Sequence, residues 1–199
     1  MSKIKNKIIC IFCLIAFLVI PDIYAADAVA PVAEKPLYTK GDSWLFVNRN
    51  KFKKRKHIFM KEEIDKYVFK LGKSDRTSYI YFTSKIKGTL TGYRNPVLDF
   101  PITVGKKWDH KYQREGQVGG HKTDIIRASH KVVAYESVTV PAGTFQAFKI
   151  DVVCEVADSK RIITNPEKLY FWYAPEVKQL VKRIKGNLDI WELKNYKIK

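Results

Sequence analysis

The chain has 199 residues, 46% of them hydrophobic and 29% charged, and its 37 Lys and Arg outnumber 20 Asp and Glu for a formal net charge of +17. That length suits one domain, large enough to bury about 70% of its extended surface without a disulfide framework. A positive surplus of this size draws polyanions and anionic membrane surfaces.

Taken in order, Lys3, Lys5 and Lys7 precede an unbroken apolar run over residues 8–20, followed by Pro21, Asp22, Ile23, Tyr24 and Ala25. A basic start, an apolar core of about a dozen residues and a small residue at the cut describe a secretory signal peptide over residues 1–25. The run falls short of the roughly 20 apolar residues an ordinary transmembrane helix needs. Cleavage after Ala25 removes Lys3, Lys5, Lys7 and Asp22, leaving 174 residues with a net charge of +15 and a periplasmic or secreted destination. It also discards Cys10 and Cys13, whose spacing otherwise suggests redox or metal chemistry. Cys154 is then alone, and its place on an apolar strand face makes it a small buried hydrophobe.

Residues 26–40, with Pro31, Pro36 and scattered alanines, read as a flexible leader, and residues 41–199 as one β domain. Gly41-Asp42 turns into a strand over residues 43–47. Residues 51–56 form the densest basic run. Behind an export signal, Lys51, Lys53, Lys54, Arg55 and Lys56 suit an anionic envelope component, not nucleic acid. Residues 58–71 admit two readings. Met60, Ile64, Tyr67 and Leu71 recur at helical spacing, with Gly72 placed as a C-cap. Tyr67, Phe69 and Leu71 also alternate as in a strand, with residues 72–76 as the hairpin loop into an aromatic strand over 78–82. The strand reading is carried forward.

Asn95-Pro96 opens a turn, residues 99–108 set Phe100 and Trp108 around a Gly-Lys-Lys bend, and Gly119-Gly120 marks a loose stretch over 114–122. Residues 131–135 form another strand. The most regular pattern lies in residues 136–156. Phe148, Ile150, Val152, Cys154 and Val156 alternate with Lys149, Asp151, Val153 and Glu155, one face for a core and one for water. A turn over 157–161 leads to an aromatic strand over 169–174, a Pro175-Glu176 turn and a strand over 179–184. A Gly186-Asn187 hairpin then opens a closing strand over 188–196. Short strands separated by regular turns, with little helix, predict an all-β domain: a curved antiparallel sheet, half-barrel or sandwich-like.

No motif assigns a reaction. His57, His110, His121 and His130 lack zinc-site spacing. Neither a nucleophile elbow nor a phosphate-cradling glycine loop is present, so no metal, cofactor or catalytic residue is expected. Asp151 and Glu155 share a polar strand face, the carboxylate pair a glycan hydrolase would use and the least favoured reading. Glu136 is placed to bind backbone donors at the Pro-Ala-Gly turn. Trp44, Trp108, Tyr170, Trp172 and Trp191 are more large rings than one sheet face normally hides. They are expected to line a concave face that receives an acyl chain or sugar.

Several short patterns stand together: Gly41-Asp42-Ser43-Trp44, Phe100-Pro101 with Val104-Gly105-Lys106 and Trp108, Val140-Pro141-Ala142-Gly143-Thr144-Phe145, Trp172-Tyr173-Ala174-Pro175, and Trp191-Glu192-Leu193. In these the chain resembles an uncharacterised family of exported bacterial β-proteins, the domain of unknown function 3108 type and its relatives, across essentially the whole of residues 41–196. The resemblance implies a curved antiparallel sheet akin to the half-barrel of lipoprotein-carrier proteins, with no known catalytic residues. The basic run at residues 51–56 departs from that family. The expected function is a periplasmic, non-enzymatic domain holding a lipid, lipopolysaccharide or other anionic amphiphile on a concave aromatic face, basic groups at its rim. The alternative is an envelope interaction or scaffold module that offers a sheet edge or its basic face to another protein.

Overall fold

Alternating apolar and polar residues run through most of the chain. The computed structural model, which describes residues 31–85, 90–91, 96–114, 124–157 and 166–199, pairs them into one 11-stranded sheet and one two-stranded sheet. The strands are β1 (Val32–Ala33), β2 (Ser43–Asn48), β3 (Lys54–Glu62), β4 (Lys66–Leu71), β5 (Thr77–Tyr81), β6 (Leu90–Thr91) and β7 (Ile102–Thr103). They continue with β8 (Lys107–Arg114), β9 (Asp124–Val140), β10 (Gly143–Val156), β11 (Glu167–Ala174), β12 (Gln179–Lys185) and β13 (Asp189–Lys197). The large sheet runs β5-β4-β3-β2-β13-β12-β11-β10-β9-β8-β6. It is antiparallel except for the short β6, which joins β8 in parallel. Among the described residues the helical content is one 3-10 turn, Pro175–Val177. The all-β expectation holds. The expected export signal (residues 1–25), the start of the expected leader (26–30) and nearly all of the loose glycine-rich stretch (114–122) lie outside the described residues, as does most of the turn expected at 157–161.

Bulges bend this sheet. Ladder register shifts between Phe59 and Lys61, Lys149 and Ile150, Trp172 and Tyr173, and Leu193 and Asn195. Each extra residue locally increases strand twist and bend, so the sheet curls around an interior without closing into a barrel. The first bulge resolves residues 58–71. Met60 is the extra residue of β3, and it and Ile64 are exposed, whereas Tyr67 and Phe69 are fully buried. A helix would have put Met60, Ile64 and Tyr67 on one face; instead Tyr67 and Phe69 point to the core from an extended strand, and Val68 between them is buried as well.

The core fills the concave side. Phe148, Ile150, Val152 and Cys154 of β10 face it beside Tyr173, Phe171 and Leu169 of β11. Tyr38, Trp44, Phe59, Tyr67 and Phe69 make an aromatic cluster, with neighbouring ring centroids 4.6–6.1 Å apart. Such pairs add about 0.5–1.5 kcal/mol each beyond buried area. Residues 31–40, the described part of the expected leader, pack against the domain instead of trailing from it. β1 pairs with β7, the Tyr67 hydroxyl donates to the Pro36 carbonyl at 2.7 Å, and the Tyr38 hydroxyl donates to the Lys178 carbonyl. Tyr38 supplies a large ring and Pro36 a carbonyl, which outweighs the entropy of a proline-containing segment.

At the β5 edge, the Tyr81 N–H donates to the Pro96 carbonyl and the Leu98 N–H to the Tyr81 carbonyl. The β8 side chain Trp108 reaches the same segment, its indole N–H donating to the Val97 carbonyl at 3.2 Å. Residues 96–98 thus sit between the two margins of the curled sheet.

Candidate functional site

The rings expected to form one concave surface are dispersed by strand alternation and by the bulges. Trp44 is 0% exposed, and its indole N–H donates to the Val177 carbonyl at 2.8 Å. Trp108 is buried and stacked on His130, with centroids 4.9 Å apart. Both are almost wholly covered, because the curl of the sheet closes over the concave side at their level. Trp172 and Tyr170 lie opposite Lys149 and Asp151 in the β10–β11 ladder, on the outer face. The Trp172 indole donates to Glu136 at 2.8 Å, and the ammonium groups of Lys149 and Lys182 stand 5.6 and 5.5 Å from its rings. Glu136 therefore holds a tryptophan and not the backbone of the Pro-Ala-Gly turn. Trp191 lines a large open hollow, and Trp108 only edges a separate open one beside Lys107 and Lys131.

The basic run is divided in the same way. In β3, Arg55 points inward with His57 and Phe59, while Lys54 and Lys56 are exposed by alternation. Lys51 and Lys53 precede the strand and line the same mouth as Arg55. Contiguous in sequence, the members of the run occupy two sides of a strand.

Three members of the run and Trp191 converge at one end of the curled sheet. An open hollow of about 880 Å³ is lined there by Lys51, Lys53, Arg55, Arg183, Lys185 and Trp191. The Arg55 guanidinium lies over the Trp191 ring, 4.5 Å from its centroid. Arg183, directly across the ladder from Trp191, was not anticipated. A two-residue Gly186-Asn187 turn would have set Arg183 opposite Ile190; the loop has three residues, Gly186 to Leu188, and this one-residue shift brings Arg183 opposite Trp191.

One carboxylate organises the mouth. Asp189 accepts hydrogen bonds from Trp191 Nε1 at 2.8 Å, Asn48 Nδ2 at 2.9 Å and Arg183 Nη2 at 3.0 Å. Asn48 is buried, and its Oδ1 accepts from the backbone of Asn50 and Lys51, which sets the β2–β3 turn. On the opposite face, the buried Glu192 carboxylate receives Arg49 through Nε and Nη2, at 3.2 and 2.9 Å, and Lys182 at 3.5 Å. Ion pairing on both sides of β13 fixes which way Trp191 faces.

Beneath the mouth lies a smaller hollow of about 60 Å³, bounded by Phe46, Ile80 and Leu180 and sharing Arg55, Arg183 and Trp191 with the larger one. Three buried side-chain nitrogens on its wall lack a protein partner: His57 Nδ1, Gln179 Nε2 and Arg183 Nε. A buried donor left without a partner costs about 1–3 kcal/mol. Burial, with Arg55 and Arg183 adding repulsion, lowers the His57 imidazole to about 3, so it is neutral at ordinary pH. A neutral imidazole, an amide and two guanidiniums facing apolar walls suit an acceptor-rich anionic group.

Elsewhere, His110 and His130 face each other at 5.0 Å between centroids, beside Cys154 in a narrow hollow of about 20 Å³. Among the described residues no group of three or more His, Cys, Asp or Glu is placed to hold a metal ion. His121 lies outside them. Asp151 and Glu155 stand four positions apart on an extended strand, about 13 Å at the usual rise and farther than the roughly 5–9.5 Å of glycosidase pairs. No described helix is long and apolar enough to cross a membrane. In comparisons with known proteins, the chain matches no family model, no curated protein and no solved structure.

Proposed function

We propose that this chain is an exported, non-enzymatic domain whose basic mouth binds the anionic head group of an envelope amphiphile. The observation that carries this reading is the convergence of Arg55, Arg183 and Trp191 over a hollow with unpartnered donors at its base. The volumes assign the parts. The inner hollow of about 60 Å³ is too small for an acyl chain, whereas the mouth of about 880 Å³ accommodates a phosphate or carboxylate head group. A ligand anion meets Arg183 and Gln179, and Trp191 covers its apolar shoulder. The alternative, capture of a protein strand at a sheet edge, has less support because residues 96–98 already occupy the β5 edge at Tyr81.

The test is a titration with short-chain phospholipids kept below their micelle concentration, followed by calorimetry and tryptophan emission. An anionic head group such as phosphatidylglycerol is expected to bind, and phosphatidylcholine to bind far more weakly. Arg183→Gln should weaken binding by about 10- to 100-fold, the loss of a charge-assisted hydrogen bond. Trp191→Phe should abolish the emission change while leaving calorimetric binding. Equal heats for the two head groups, or unchanged affinity in Arg183→Gln, would refute the proposal.

A further inference from the structure

The two hairpins bordering the mouth end in large apolar side chains that nothing in the fold buries. Phe52, between β2 and β3, is 91% exposed, and Leu188, between β12 and β13, is 68% exposed. Single exposed apolar residues are ordinary; their placement here is what matters. The hairpins are tied together, Asn50 Nδ2 donating to the Asn187 carbonyl at 3.2 Å and the Arg49 N–H to the Ile190 carbonyl at 2.9 Å. Phe52 has φ +50°, an unusual conformation for a bulky residue, which turns its ring away from the sheet. Lys51, Lys53 and Lys54 surround that ring in sequence, and Lys185 enters the neighbouring turn. The nearby carboxylates are engaged within the fold, Asp189 by Arg183 at 3.0 Å and Glu167 by Lys185 at 2.7 Å.

We infer that the tips carrying Phe52 and Leu188 dock this protein on an anionic bilayer, with the lysines against lipid phosphates and the two apolar side chains below the head-group plane. Shallow apolar insertion and a basic surround are the two contributions that reversible surface binding combines. Docked in this way, the mouth opens onto the head-group layer. The inference deepens the head-group reading above, because a lipid can place its phosphate in the mouth while its chains remain in the bilayer. This accounts for a site with a large basic entrance and only a small apolar hollow.

The experiment is co-sedimentation of the purified protein with phosphatidylcholine vesicles prepared with and without phosphatidylglycerol. Binding is expected only with the anionic lipid, weakening as salt rises. The double substitution Phe52→Ser with Leu188→Ser should reduce vesicle affinity by an order of magnitude or more with thermal unfolding unchanged, and Phe52→Ser alone, at a residue outside the lining of the mouth, should leave short-chain lipid binding unchanged. In Phe52→Trp, emission should shift to the blue on anionic vesicles, a sign of insertion that electrostatic adsorption alone does not give. Unchanged vesicle affinity in the double variant, or no shift in bound Phe52→Trp, would overturn the docking inference. Vesicle docking without short-chain binding would instead support the tips and remove the mouth as a head-group site.

Discussion

Acidification from about pH 7 to about pH 5 should strip this domain of a large part of its stability, through three histidines that the fold keeps neutral. Burial lowers His57 to about 3, with Arg55 and Arg183 adding to it. It lowers His110 to about 4 against the opposing pull of Asp109, and His130 to about 3 with help from His110. In the unfolded chain each takes up a proton near the ordinary 6.5. The unfolded state therefore binds more protons below that value, and stability present above pH 6.5 is lost as pH falls toward the folded values. Each histidine contributes about 1.4 kcal/mol per pH unit within this window. At pH 5 that is about 2 kcal/mol apiece and about 6 for three, set against a usual total of about 5–15 kcal/mol. His130 is 4% exposed, but His57 and His110 are only partly buried, so solvent reduces the figure to roughly 4 kcal/mol. Burial raises the Asp99 carboxyl, yet hydrogen bonds from Ser84 and Lys106 outweigh it and hold it below 3.8, so its loss falls at lower pH. Urea unfolding from about pH 7.5 down to about pH 5 measures the slope. His130→Phe should remove about 1.4 kcal/mol per pH unit from it. A midpoint that stays level across this range, with an unchanged m-value, would refute the assignment of these histidines as neutral in the fold.

Two substitutions examine the fold itself. Gly143 has φ +138°, and a side chain there would meet only the Phe145 ring at 3.7 Å, an ordinary contact. Gly143→Val should therefore cost about 1–3 kcal/mol through backbone strain alone, read as a lower urea midpoint; a melting curve equal to the parent's would remove the turn assignment. Trp44→Ala deletes a fully buried indole together with its bond to Val177 and should cost about 3–5 kcal/mol. Leu37→Ala, at a position 77% exposed, serves as the control and should stay within about 0.5 kcal/mol. Comparable losses in the two variants would contradict the burial described for Trp44.

Much of the architecture was legible from local pattern. Phe148, Ile150, Val152 and Cys154 face the core as their alternation required, and a hairpin forms at Gly186-Asn187, though its loop takes in Leu188 as a third residue and the closing strand starts at Asp189. The candidate site was legible only in part. Arg55 and Trp191 were both singled out, as members of different sets, and they meet at 4.5 Å. Arg183 and Asp189 were missed. A charged residue in a strand carries no mark of whether it faces water or a hollow until the register of its neighbours is known.

The sequence by itself determined the class of fold, the period of each strand and the excess of positive charge, because these depend on neighbours along the chain. Which side a ring occupies was decided by tertiary structure. A bulge of one residue reverses the faces beyond it, as Met60 does in β3, and composition does not record where such a reversal falls. Curvature sealed Trp44 and Trp108, turned Trp172 outward and brought β3, β12 and β13 together at one basic mouth. That mouth is a product of long-range strand order, to which no single stretch of sequence has access.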